Sequence, residues 1–161
     1  MVEIIHAHLP ELVGKVRSLF ERYAASSRRD CGPPDWDGES ADFPGEYVPP
    51  AGALLMAQER STAIGCVGMR PLKKDVCEMQ WLFVKPSERG RGIGRLLVES
   101  LIEEAKQMGY RKMRLFTRSS TGQTIDLFLS LGFREIEPYH WTPIPGGLYF
   151  ELALEENRKR G

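Results

Sequence analysis

The chain has 161 residues, of which 42% are hydrophobic and 27% charged. That is the balance of an ordinary globular protein of one domain, long enough to bury a core without disulfides or metals. Its 22 Lys and Arg offset 22 Asp and Glu for a formal net charge of zero, which excludes broad electrostatic binding to nucleic acid or an anionic membrane.

MVEIIHAHLP lacks a basic segment ahead of an apolar run, and AGALLMA is too short to cross a bilayer. The cysteines Cys31, Cys66 and Cys77 are an odd set without CxxC spacing, as expected of reduced thiols in a cytoplasmic protein.

In chain order, VEIIHA at 2–7 reads as a strand. Leu12, Val13, Val16, Leu19, Phe20 and Tyr23 then recur at helical spacing between Pro10 and Ala25. Residues 26–52, rich in Pro, Gly and Asp, form a long irregular segment with one helical turn expected near Glu39–Phe43. Strands follow at 53–59, 61–72 and 76–84, joined by short turns around Gln58–Thr62 and Lys73–Asp75. Pro86 stops the last of them. Ile93, Leu97, Leu101, Ala105 and Met108 mark a helix that Gly109 ends. KMRLFT at 112–117 is a strand, TGQTIDLFLSLGF at 121–133 a helix closed by Gly132, FREIEPY the start of a strand and GLYFELAL at 147–154 the last strand. The order predicts an α/β or α+β domain over 1–155 with a mixed sheet, followed by a polar tail at 156–161.

Between strand and helix lies ERGRGIGR, residues 88–95. Helix-start N–H groups have no intrahelical acceptor and carry the positive end of the helix dipole. Glycines let a bulky anion approach them, and Arg89, Arg91 and Arg95 add charge. Phosphate or pyrophosphate is the natural guest. A P-loop fails because Arg95-Leu96 follow Gly94 where Lys and Ser or Thr are needed. A dinucleotide fingerprint fails because the third glycine comes one position early and the next strand ends in Thr117-Arg118.

Arg89-x-x-Gly92-x-Gly94 after Val84-Lys85-Pro86 resembles the pyrophosphate loop of the GNAT superfamily of N-acetyltransferases. GEYVPPAGALLMA, GCVGMRPL, CEMQWLFVKP and LFLSLGFREIEPY also stand where that family has similar segments, so the resemblance covers nearly the whole chain. It implies a mixed, mostly antiparallel central sheet with a splayed strand pair, flanked by helices. It also implies acetyl-CoA as co-substrate, held by Arg89, Gly90, Arg91, Gly92, Ile93, Gly94 and Arg95. The backbone of Leu82, Phe83 and Val84 would meet the pantetheine arm and the acetyl carbonyl. An amine acceptor of a small molecule, peptide or protein would attack the thioester directly. No metal, nucleic acid or membrane enters this chemistry, and a homodimer is an assembly common among similar proteins.

Glu78 is the candidate general base, on a strand where similar proteins carry a glutamate. Alternation puts Glu78, Gln80 and Leu82 on one face. The family commonly has an acid tyrosine at the position of Phe128, which cannot donate a proton but falls in the cofactor region. Tyr139 is then the candidate acid, with His140 or solvent as substitutes. This departure motivates the alternative function, a GNAT-shaped acyl-CoA sensor or regulatory partner without turnover.

Other features have plainer readings. Trp81 reads as core packing. His6 and His8 lie two apart with no third ligand in view. The acidic residues Asp35, Asp37, Glu39, Asp42 and Glu46 read as a solvated loop, or as one that favours a cationic amine.

Overall fold

The computed structural model describes residues 1–25, 44–117, 122–139 and 147–154. The elements run β1 (Glu3–His6), α1 (Pro10–Ala25), β2 (Ala53–Glu59), β3 (Thr62–Lys73), β4 (Val76–Val84), α2 (Ile93–Gln107), β5 (Lys112–Thr117), α3 (Gly122–Ser130), β6 (Arg134–Ile136) and β7 (Leu148–Ala153), with one 3-10 turn at Pro86–Glu88 before α2. The helical turn expected near Glu39–Phe43, the acidic residues Asp35 to Asp42, Cys31, His140 and the tail at 156–161 lie outside the described residues.

Seven strands make one sheet in the order β1-β2-β3-β4-β5-β7-β6. β4 and β5 run parallel, and the other pairs are antiparallel. The fold is therefore the mixed, mostly antiparallel sheet flanked by helices that the sequence led us to expect. The β2–β3 turn places Arg60 and Ser61 at φ 52° and 67°. Two successive positive φ values match the twist of a tight antiparallel hairpin.

Apolar side chains divide between the two faces of the sheet. On one face Leu55, Val67, Met69, Met79, Met113, Leu115 and Phe150 pack under Leu97, Val98 and Leu101 of α2 and Phe128 of α3. On the other, Leu54, Met56, Cys66, Trp81 and Phe83 pack with Val16 and Leu19 of α1. Each buried Leu, Val, Met or Phe contributes about 1.5–3 kcal/mol, so the two layers fix the sheet between them. Cys66 and Cys77 are buried, unpaired thiols, as expected.

Both glycine helix ends are Schellman motifs. After α2, Gly109 sits at φ 92°, its N–H donates to Lys106 O, and that of Tyr110 donates to Ala105 O. After α3, Gly132 sits at φ 101°, its N–H donates to Leu129 O, and that of Phe133 donates to Phe128 O. The hydrophobic contact that accompanies such an end is Phe133 on Phe128, with ring centroids 5.7 Å apart.

Candidate active site

The glycine-rich loop opens as a cradle. Gly90 and Gly92 take φ 86° and 79°, and a Cβ built on either would meet nothing within 4 Å. Gly92 caps α2 in the left-handed region, with no side-chain cap. The first intrahelical bond runs from Leu96 N to Gly92 O at 3.1 Å. The N–H groups of Ile93, Gly94 and Arg95 therefore have no acceptor within the helix. Open space above free amides at a helix start is what a pyrophosphate needs, so these residues fit the co-substrate's anionic part.

The arginines do more than add charge. Arg89 Nε donates to Val84 O at 3.1 Å and ties the loop to the end of β4. Arg91 forms a bidentate pair with Glu59 at 3.0 and 3.1 Å and a third bond to Glu88 at 2.6 Å. The hydrogen bonds and charge of Arg91 hold the Glu59 carboxyl down to about 2. Arg91 was expected to add charge to the loop; two carboxylates pair with it, and in this arrangement it staples the loop to β2. Arg95 donates to Ser130 Oγ at 2.8 Å and pairs with Glu99 at 3.3 Å.

Beside the loop, the sheet is open. β4 and β5 pair only from Val76 and Lys112 to Met79 and Leu115, although β4 continues to Val84 and β5 to Thr117. Among the described residues no strand pairs with Gln80–Val84 on that side. On its other side β4 carries a bulge. Gly68 and Cys66 of β3 oppose Gln80 and Phe83, so one extra residue lies between them on β4. Trp81 sits there at φ 63°.

The bulge corrects the expected alternation. Glu78 and Gln80 do share a face, as the 2.7 Å bond between their side chains requires. Leu82 does not join them. It packs in the α2 layer, while Trp81 and Phe83 turn to the α1 layer. Trp81 is fully buried, and its indole N–H donates to Tyr47 Oη at 3.1 Å.

Glu78 is far more enclosed than a base at the edge of a cleft, at 1% exposed. Donors converge on its carboxylate. Arg70 Nη2 lies at 3.2 Å and Gln80 Nε2 at 2.7 Å from Oε1, and Tyr139 Oη at 2.6 Å from Oε2. The two candidates for proton transfer, 61 positions apart in sequence, are thus in direct contact. Phe128 is not with them. It is fully buried, packed on Phe133 and Phe150, and as placed it offers no surface to a cofactor. It serves the core and the end of α3.

His6 Nε2 lies 3.0 Å from Glu104, with the His6 and His8 rings edge to face. Among the described residues no group of three or more His, Cys, Asp or Glu could hold a metal ion, and no helix is long and apolar enough to cross a membrane. Sequence reasoning missed Arg70 and Tyr47. Arg70 was within reach, since the short β3–β4 turn folds it back opposite Glu78.

Comparison with known proteins agrees with this geometry. Residues 15–133 match the acetyltransferase (GNAT) family. An uncharacterized N-acetyltransferase of Schizosaccharomyces pombe is 33% identical over 157 residues, 96% of each chain. A GNAT-family acetyltransferase of Staphylococcus aureus superimposes with a TM-score of 0.79 at 16% identity, over 96% of this chain and 100% of that one. A putative acetyltransferase of Salmonella typhimurium, solved with its cofactor acetyl-CoA, does so with a TM-score of 0.73 at 18% identity, over 100% of this chain and 98% of that one.

Proposed function

The chain belongs to the GNAT family of acetyl-CoA-dependent N-acetyltransferases, and from that premise we propose that it acetylates a primary amine of a small molecule, peptide or protein by direct attack in a ternary complex. The observation that carries this reading is the gap between β4 and β5 beyond Met79 and Leu115, with the glycine cradle at one end and the Glu78–Tyr139 pair beside it.

Acetyl-CoA supplies the activated thioester. The loop at residues 89–95 holds its pyrophosphate, and the backbone of Leu82, Phe83 and Val84, beyond the last pair between β4 and β5, meets the arm and the acyl oxygen. A fixed donor aimed at that oxygen is worth most when negative charge develops on it. Glu78 takes a proton from the acceptor's ammonium, so that nitrogen is free to bond to the acyl carbon as the C–S bond breaks. Tyr139 gives a proton to the departing sulfur and recovers, through its bond to Glu78, the one that Glu78 took, while the newly bonded nitrogen sheds its second proton to solvent.

Calorimetric titration with acetyl-CoA, followed by thiol release across a panel of primary amines, tests the reading. Saturable binding with release for one amine class is expected. Binding without release on any amine would favour the alternative, an acyl-CoA-binding regulatory protein, and absence of binding would refute the cradle itself.

A further inference from the structure

One row of charge crosses the sheet. Arg70 of β3 stands opposite Glu78 of β4, Glu78 opposite Arg114 of β5, Arg114 opposite Glu151 of β7, and Glu151 opposite Arg134 of β6. Directly opposed residues on neighbouring strands share a face, so these five side chains form a line of alternating sign.

Contacts run along it. Arg70 reaches Glu78 at 3.2 Å, Arg114 Nε donates to Glu151 at 2.9 Å, and Arg134 lies 3.7 Å from the same carboxylate. Glu151 is 7% exposed and Arg114's side chain 16%, so solvent screens their pairing little.

Between Glu78 and Arg114 the link is made by Tyr139. Its hydroxyl donates to Glu78, and the Arg114 guanidinium carbon lies 5.2 Å from its ring centroid. A planar cation over an aromatic face is attracted to it, and the attraction grows where water is excluded. Tyr149 meets the same ring edge to face at 5.1 Å. Tyr139 follows β6 and lies in no helix or strand, so backbone pairing in a regular element does not aim its ring; these contacts do.

We propose that Arg114, itself anchored by Glu151, is the positioning residue that fixes Tyr139 with its hydroxyl on Glu78. Its consequence for catalysis rests on the proton-transfer roles given above, but the positioning is measurable without them.

The test is ¹⁹F NMR of the full chain carrying 3-fluorotyrosine at its five tyrosines, with the Tyr139 line assigned by its loss in Tyr139→Phe. In Arg114→Met the Tyr139 line moves toward the position of the free amino acid, while the lines of Tyr47 and Tyr110 stay. An unmoved Tyr139 line would overturn the proposal, as would equal movement of all five lines in a variant that still melts cooperatively. If Arg114→Met does not fold, Arg114→Lys and Glu151→Gln decide. The first keeps the charge and loses the planar face, and the second keeps the shape and loses the anchor. A selective Tyr139 shift in either supports the assignment, and no shift in both overturns it. No acetyl-CoA is present, so a failure here is distinct from a failure of the transfer reaction, which the titration and thiol release read.

Discussion

Replacing Gly92 by alanine separates the cradle's role in folding from its role in binding. The residue sits at φ 79° with open space around its missing side chain. The methyl therefore meets no protein atom, and the structural cost is the backbone's alone, about 1–2 kcal/mol for an L-residue in the left-handed region. In a domain of this size that lowers the melting temperature by roughly 2–8 °C. Binding suffers separately, because the methyl projects into the space an anion would fill. Losing one charge-assisted hydrogen bond costs about 1.5–3 kcal/mol, so acetyl-CoA affinity falls roughly ten- to hundredfold in a calorimetric titration.

Gly94→Ala is the matched control. Its Cβ would point inward, 3.8 Å from Val84 Cγ2 and 3.9 Å from Leu127 Cδ2, at ordinary contact distance and without positive φ. Alanine is favoured over glycine in a helix by up to ~1 kcal/mol. This variant melts at or above the wild-type temperature and binds acetyl-CoA as well. Wild-type affinity in Gly92→Ala, alongside its lowered melting point, would refute the assignment of the loop to the pyrophosphate.

Three further outcomes rest on contacts already described in the molecule. Tyr139→Phe lowers kcat by about a hundredfold, within the usual contribution of a positioned proton donor, and leaves acetyl-CoA affinity intact; unchanged turnover would remove Tyr139 from the reaction. Glu59→Gln probes the loop's staple through pH. Arg91 depresses the Glu59 carboxyl from 4.5 to about 2 on folding, so the pair's stability is fully present above the unfolded value and is lost as pH falls through the folded one. Wild type melts above the variant at neutral pH, and the difference closes between about pH 4.5 and 2; a pH-independent difference would contradict the staple. Burial pushes the Cys77 thiol up to about 12 and that of Cys66 well above its ordinary value, so both resist a thiol-exchange reagent at mildly alkaline pH until the protein unfolds. Prompt labelling of either in the native protein would show that the core opens.

The succession of strands and helices along the chain, the glycine ends of the helices and the loop were legible because each is a local matter. Alternation marks strands, a 3.6-residue period marks helices, and glycine at positive φ marks their ends. Glu78 stood out through the resemblance, on a strand where similar proteins carry a glutamate. Its enclosure did not, because that depends on Arg70 eight positions upstream and Tyr139 61 positions downstream. Arg114 and Glu151 carried no signal, since a charged residue on a strand reads as a solvent-facing one until register sets it opposite a partner. The burial of Phe128 was hidden for a related reason. Its place in LFLSLGF suggested the cofactor side, whereas the Schellman end after α3 turns it onto Phe133 and into the core.

The bulge at Trp81 was the least legible feature, and it bears on the site most directly. Local propensity never places a tryptophan at φ 63°. The conformation costs about 1–2 kcal/mol and must be held from outside. Burying an indole of 150–250 Å² returns about 4–6 kcal/mol, and the bond to Tyr47 adds about 1 kcal/mol. A leucine at this position keeps roughly half of the burial and none of the bond, so the surplus over the strain narrows to about 1 kcal/mol. Trp81→Leu should let β4 relax toward regular alternation, returning Leu82 to the face of Glu78 and drawing Val84 away from the start of α2. The expected result is weaker acetyl-CoA binding from a residue that faces the α1 layer, with faster hydrogen exchange at the amides of Leu82–Val84. If binding and exchange both stay as in the wild type, the bulge does not hold the strand edge open, and the parting of β4 from β5 must be set by the short register between them alone.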